Sequence, residues 1–290
     1  MFGTRRPFPV RRTLLILIAL SGIGSALHLG LRPGNLRPDA GGLRVAATFF
    51  GAAVSPATSY EAAFVPEGTI PLLAKAGAAT ITTVIFAAAA ASLSTLLGLI
   101  LGFLASAAWW SDDPIGGVSI IRRLVQRTVR PAVFVTTRFV IALARSMHEL
   151  LWAVLFLGAM GLTNLTAVMA IVIPYTGILA KICSEIIDEA PREAAHALRA
   201  AGASPLQVFF CGLLPRALPD LCAYAIYRFE CALRSSAVMG FFGIPTLGYY
   251  IHASFSNTHY REVWTYLYAL LALVALADNW SGGLRRRLIS

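Results

Sequence analysis

The chain has 290 residues, of which 57% are hydrophobic and only 13% charged, and its mean hydropathy is +0.71. The charged share is about half that of an ordinary soluble domain, which excludes a water-soluble globule. The net charge of +10 comes from basic clusters beside apolar runs, with no basic face interleaved with stacking aromatics; this excludes nucleic acid and points to membrane lipids as the partner.

Arg5, Arg6, Arg11 and Arg12 precede an apolar run from Leu14 to about Leu31. The run is about long enough to span a bilayer and is expected as an uncleaved first helix, although Ser25-Ala26 leaves room for a signal-peptide cleavage site. Residues 32–69 are mixed and broken by Pro33, Pro38, Pro56 and Pro66. Within them Leu43, Ala46, Ala47 and Phe50 share a face that suits a short external helix lying on the membrane. A second span is expected over about Ala79–Phe103, with Gly98 and Gly102 spaced for close helix packing. A loop with Asp112, Asp113, Pro114, Arg122, Arg123, Arg127 and Arg130 follows. The third helical region, Pro131 to about Gly161, would be ~45 Å long and must tilt, kink or protrude. The fourth span covers about Leu165–Cys183 with a kink expected at Pro174, the fifth about Pro219–Gly240 and the sixth about Val263–Trp280. A polar external stretch with Asn257, His259, Arg261 and Glu262 joins the last two, and Arg285, Arg286 and Arg287 form a basic tail over 282–290. The expected fold is therefore all-α and polytopic, with about six transmembrane helices and a core over 70–281. Six spans place both termini on one side, and the basic clusters make that side the cytoplasm. The four cysteines, Cys183, Cys211, Cys222 and Cys231, form no CxxC pair and are expected as small buried residues.

Between the fourth and fifth spans lies a more polar segment, 188–215, containing EAAHALRAAGASPLQVFFCGLLP from Glu193 to Pro215. Pro191 suits the first turn of a short helix, and Gly202 stands where a helix C-terminus favours a left-handed residue. Ser204, Pro205 and Gln207 then form a capping box for a second helix. The result is a small helix–turn–helix, suited to docking in another protein's groove.

Six charges fall inside the third and fifth spans: Arg138, Arg145, Glu149, Arg228, Glu230 and Arg234. At ~2.5–3.5 kcal/mol each at mid-bilayer, they cannot all face lipid. Arg145 with Glu149, and Glu230 with Arg234, are four residues apart and can pair along a helix. The set reads either as ion pairs that fix helix register or as a net-positive pathway for an anion, with His148 either tuning the site or packing beside it. Arg138 is close enough to its helix start to snorkel.

The 188–215 segment resembles the cytoplasmic coupling loop of ABC importer permeases, whose pattern is EAA, three residues, Gly, nine residues, Ile-x-Leu-Pro. Counted from Gly202, Leu214-Pro215 closes the pattern, Gly212 replaces its Ile, and His196 stands where its Glu does; the literal Glu193-Ala194-Ala195 is three residues early. Arg145-Ser146-Met147-His148-Glu149-Leu150-Leu151-Trp152 is similar to the RSIPELVW stretch of phosphonate/phosphite permeases, with His148 in place of Pro. Tyr227-Arg228-Phe229-Glu230, Arg234 and Val238-Met239-Gly240 are similar to their YRFE, R and VLG. The resemblance covers roughly 70–280 and implies the MetI-like, type I importer permease fold. It further implies two ABC ATPase subunits docked through Glu193, Ala194, His196, Ala197, Arg199, Gly202, Ser204, Leu214 and Pro215. An external substrate-binding protein, a second permease copy or paralogue and an anionic phosphorus-containing cargo complete the implied system. Arg145, His148, Glu149, Arg228, Glu230 and Arg234 would line the pathway.

The chain cannot hydrolyse ATP itself. A P-loop needs Lys followed by Ser or Thr, whereas its only lysines are Lys75 before Ala76 and Lys181 before Ile182; ATP-Mg is expected in the partner subunit. His148-Glu149 begins HExxH, but Trp152 occupies the second histidine position, so no metal site or hydrolase is expected. A permease for another cargo, such as an amino acid, another oxyanion or a metal chelate, and a stand-alone channel or secondary transporter are the competing readings.

Overall fold

The computed structural model describes residues 10–31, 39–107 and 128–289. Arg5, Arg6, Pro33, Pro38 and the loop residues Asp112, Asp113, Pro114, Arg122, Arg123 and Arg127 lie outside the described residues. The chain divides into two compact units, Met1–Ser55 and Pro56–Ser290. The first holds α1 (Val10–His28) and α2 (Ala40–Ala52), the latter where the Leu43–Phe50 face was expected. The leucines and isoleucines of α1 from Leu14 to Leu27 are exposed, a surface suited to lipid.

The second unit contains α3 (Leu72–Ala105), α4 (Arg130–Ser146), α5 (Glu149–Met160), α6 (Asn164–Glu189) and the short α7 (Glu193–Ala200). A turn of α-helix at Pro205–Gln207 and a π-helical stretch, Val208–Leu213, lead into α8 (Leu214–Val238). A 3₁₀ turn at Met239–Phe242 precedes α9 (Leu247–Ser256) and α10 (Tyr260–Ile289). Four of these stretches are long and apolar enough to cross a membrane: Leu72–Ala105, Asn164–Glu189, Val208–Phe242 and Tyr260–Arg287. Helices α4 and α5 are long and apolar enough only together, as a pair bent by 92°. Against the expected six spans stand four whole helices and one bent pair; the apolar part of α1, Arg12–His28, is shorter than these.

Helix α3 is built on a stripe of small buried residues, including Ala76, Ala79, Ala87, Ala90, Gly98 and Gly102. In lipid, small side chains are what let helix backbones approach closely. A Cβ added at Gly98 would lie 2.6 Å from Leu179 Cβ, and one at Gly102 would lie 2.7 Å from Cys183 Cβ. The two contacts advance together along both helices, so α3 and α6 run parallel. Arg138 reaches the carbonyl of Ala105 while Ala144 meets Gly177, which sets α4 antiparallel to both. A parallel pair needs a return crossing between its members, and α4–α5 supplies it in two pieces. Tyr266 packs with Leu72 and Ala76, so α10 runs as α3 does, and α8 runs opposite. One end of the bundle therefore gathers the ends of α3, α6 and α10, the starts of α4 and α8, and α7.

The helical region over 131–161, expected to tilt, kink or protrude, breaks at one point because Met147 is extended and the His148 side chain caps α5, accepting from the Leu150 N–H at 3.3 Å. Three sequence expectations are corrected. The fifth span begins well before Pro219, since the π stretch lets the helix continue into Pro215, which has no N–H to donate. The polar connection after the fifth span contains α9, tied in by Thr83, whose hydroxyl accepts from the Leu247 N–H at 3.1 Å and whose carbonyl accepts from the Ser236 hydroxyl at 3.0 Å. The basic residues Arg285, Arg286 and Arg287 belong to α10 and form no separate tail. Helix α6 runs unbroken through Pro174. Of the cysteines Cys183 is buried, Cys222 and Cys231 are half-buried, and Cys211 is exposed. Residues 56–61 are stapled to the first turn of α10: the Ala57 N–H donates to Arg261 O at 3.1 Å and the Glu61 N–H to Glu262 Oε1 at 2.7 Å.

Gly102→Val places a branched side chain against the α6 backbone and is expected to cost about 1–3 kcal/mol. Thermal unfolding of the detergent-purified protein should show a clear drop, whereas Gly22→Ala, with nothing within 4 Å, should show none.

Candidate functional site

The helix–turn–helix at 188–215 forms with one change at its start. Ala190 is extended (φ −57°, ψ 141°) and Arg192 caps α7, so Pro191 ends α6 instead of opening α7, as the restriction on a residue preceding proline requires. Glu193 begins α7. Gly202 is left-handed at φ 82°, and its N–H donates to Arg199 O at 2.9 Å while the Ala203 N–H donates to Leu198 O at 3.0 Å. That bond pair is a Schellman termination. The capping box forms as expected: the Ser204 N–H donates to Gln207 Oε1 at 2.8 Å, and the Gln207 N–H donates to Ser204 Oγ at 3.4 Å.

Helix α7 is two-sided. Ala195 is buried against Val208, Phe209 and Leu213 of the π stretch, with Leu198 packed beside them. Glu193, His196, Ala197, Gly202, Ser204 and Pro215 are exposed, and Ala194, Arg199 and Leu214 are half-buried. The outward face is thus made of small residues, one histidine and one carboxylate.

The six charged or titratable pathway candidates separate into three places. Arg228 is buried, 9% exposed, with its guanidinium 3.9 Å from the centre of the Tyr175 ring. Its Nε and Nη2 have no hydrogen-bond partner among the described residues. The Tyr175 hydroxyl is 2.9 Å from Ser235 Oγ, which donates to Glu149 Oε1 at 2.8 Å, and His148 Nε2 lies 3.5 Å from Glu149 Oε2. Arg228, Glu149 and His148 therefore join one chain of polar groups across α8, α6 and α5. Glu230 points elsewhere: it pairs with Arg234, as its spacing predicts, and lies 4.0 Å from Arg285 of α10. Arg145 stands apart at the end of α4. The expected Arg145–Glu149 pair does not form, because the break at Met147 turns the two residues onto different helices.

Sequence reasoning missed Tyr175, Ser235 and Arg285. Tyr175 follows a proline in an otherwise apolar run and Ser235 follows Arg234; only the approach of three helices makes them a relay.

A model of the family "binding-protein-dependent transport system inner membrane component" matches residues 96–289. The chain belongs to this family. It is 39% identical over 159 residues to the phosphite transport system permease protein PtxC of Stutzerimonas stutzeri, covering 54% of this chain and 57% of that protein. It is 27% identical over 159 residues to the phosphate-import permease protein PhnE of Mycolicibacterium smegmatis, covering 55% of this chain and 30% of that protein. The chain thus spans little more than half the length of the first and less of the second. Among solved structures it is similar to a chain of an amino acid ABC transporter with histidines, at a TM-score of 0.59 and 16% identity, covering 76% of this chain and 99% of that one. That likeness shows the ABC importer permease fold.

The fold accounts for two departures, one at Gly212 from the coupling-loop pattern of ABC importer permeases and one at His148 from the RSIPELVW stretch of phosphonate/phosphite permeases. At Gly212, in place of Ile, an added Cβ would lie 3.3 Å from Ala195 Cα and 3.1 Å from Leu198 Cδ1; a larger side chain would crowd α7 where glycine lets it seat closely. At His148, in place of Pro, the imidazole cap starts α5 as a proline at a helix start would. Gly212→Ile, which restores the family residue, should lift α7 from the π stretch and destabilise it by about 1–3 kcal/mol. Faster proteolytic cleavage between 190 and 204, with the rest of the bundle intact, is the expected readout.

Proposed function

We propose that this chain is the permease subunit of an ATP-driven importer that carries phosphite, phosphonate or a related phosphorus oxyanion inward by alternating access. The family and the names of its relatives support the transport role. The observation that carries the anionic cargo is Arg228, a buried cation with two unsatisfied donors in the middle of the bundle. An intramembrane charge held without an anion is costly, and a phosphorus oxyanion passing by supplies the acceptors that a guanidinium fork is shaped for. Tyr175 holds the guanidinium by a cation–π contact, a non-saturating partner that leaves the fork free to release its cargo. Glu149, reached through Ser235, keeps the site from becoming a trap.

Energy would come from two ATPase subunits, each carrying ATP-Mg and seated on the outward face of α7. Arg192, Arg199, Arg286 and Arg287 lie at the α7 end of the bundle, and the positive-inside rule supports a cytoplasmic reading of that end and of the C-terminus; the six spans expected from the sequence would put the N-terminus on the same side. ATPase closure would press α7 onto the π stretch. Because 205–242 is one continuous helical run, the push would turn Arg228 relative to Tyr175. An external binding protein would deliver the anion at the opposite end, and a second copy or paralogue would complete the pathway.

Reconstituted with its ATPase and binding protein, Arg228→Met should lower phosphite uptake at least tenfold, the worth of about one charged hydrogen bond. The same variant should unfold at an unchanged or higher temperature, because it removes an uncompensated buried charge. Uptake at the wild-type level would overturn the pathway assignment, and a lower unfolding temperature would make Arg228 a structural residue. Gly202→Asp should leave the bundle inserted yet abolish uptake and ATPase co-purification; normal uptake would refute the coupling role of α7.

A further inference from the structure

A cleft of about 190 Å³ opens between the end of α3, α4 and α6, away from the Arg228 relay. Arg138, Arg145, Lys181, Ser184 and Glu185 line it, with Ile141 on its wall. Three cations thus line one open cleft between membrane helices with a single carboxylate, Glu185. Arg138 lies 3.9 Å from Asp188 and donates to Ala105 O, and Lys181 is bonded to Glu185. Arg145 has no partner among the described residues. Arg138 and Lys181 sit about 12 Å along α4 and α6 from the α7 end, and Arg145 about 22 Å.

We propose that this cleft is a second anion site that binds a tetrahedral phosphorus oxyanion, with Arg145 as its uncommitted fork and Lys181 released to it from Glu185. The charge balance favours such a ligand: Arg138, Arg145 and Lys181 exceed Glu185 and Asp188 by one charge, which a monoanion cancels without breaking the Arg138–Asp188 contact. Two sources carry that chemistry. A lipid phosphate can enter past Val135, Phe139 and Leu143, exposed apolar residues of α4, and basic pockets between membrane helices near the cytoplasmic end take anionic headgroups. A free oxyanion can enter from the aqueous end. Either would clamp α4 to α6 just ahead of Pro191 and α7. The site shares no residue with the Arg228 relay and stands whether or not that relay carries cargo.

The test uses the full-length chain with Arg228→Gln as background, so that binding at the relay is removed. Phosphite and phosphate are titrated calorimetrically in phosphatidylcholine nanodiscs. Separately, phosphatidylglycerol retained from mixed phosphatidylcholine–phosphatidylglycerol micelles is counted by native mass spectrometry. Arg145→Gln is expected to weaken whichever ligand binds by roughly tenfold. Glu185→Gln is expected to strengthen it, since Lys181 then has no internal competitor. A response confined to the titration identifies the free oxyanion as ligand; one confined to lipid counting identifies the headgroup; a response in both means that the site takes either. Absence of binding in both assays overturns the proposal. So does a Glu185→Gln variant that weakens binding alongside Arg145→Gln, because both effects would then stem from lost packing.

Discussion

An apolar helix gains little by leaving lipid for protein, so close approach of backbones must hold this bundle together. The contact between α3 and α6 carries that constraint most heavily, because a Cβ added at Gly98 or Gly102 would come within 3.4 Å of α6 backbone atoms. Setting α3 parallel to α6 obliges the chain between them to cross back. Neither α4 nor α5 is long enough to do so alone, and together they do it around a 92° corner. The corner in turn delivers Glu149 to Ser235, at a depth where an unbroken helix would have paired it with Arg145.

The same economy of backbone separation recurs at the outer end. Helix α7 is only 8 residues long, too short to persist alone in water. It is held by burying Ala195 against Gly212 and by bonds at its own end, the Schellman pair beyond Gly202 and the capping box of the next turn. The π stretch beneath it serves two needs at once. It accommodates the missing donor of Pro215, and it joins the knob to α8 without an intervening loop, so a displacement of α7 has no slack in which to dissipate.

Much of this was legible in the residues. The close-packing glycines of α3, the left-handed Gly202, the Ser204–Gln207 box and the Glu230–Arg234 pair all follow from local chemistry and spacing, and all appear in the structure. What was not legible depended on contacts distant in sequence. Nothing between Pro131 and Gly161 is a glycine or proline that would announce a break, apart from Pro131 at the start and Gly158 and Gly161 near the end; the corner rests on a histidine acting as a cap, a role histidine seldom takes. Helix α9 hid in a polar connection because its anchor, Thr83, lies far upstream. Tyr175 and Ser235 looked like ordinary members of apolar helices until three helices placed them in line.

The distribution of charge among the helices bears on mechanism. A bundle stabilised by ion pairs alone would match each buried cation with an anion, as Glu230 does with Arg234 and Arg285. Arg228 departs from that pattern. Its neighbour is the face of a tyrosine ring, which lowers the cost of the charge without consuming its hydrogen-bond donors. The nearest relayed carboxylate, Glu149, is engaged by Ser235 and His148 and does not reach the guanidinium. Stability is forgone at one buried position while every other charge of α8 beyond it is paired. Such a local exception to satisfied burial is what a pathway requires, since a cation already neutralised by the protein would have nothing to offer a passing anion.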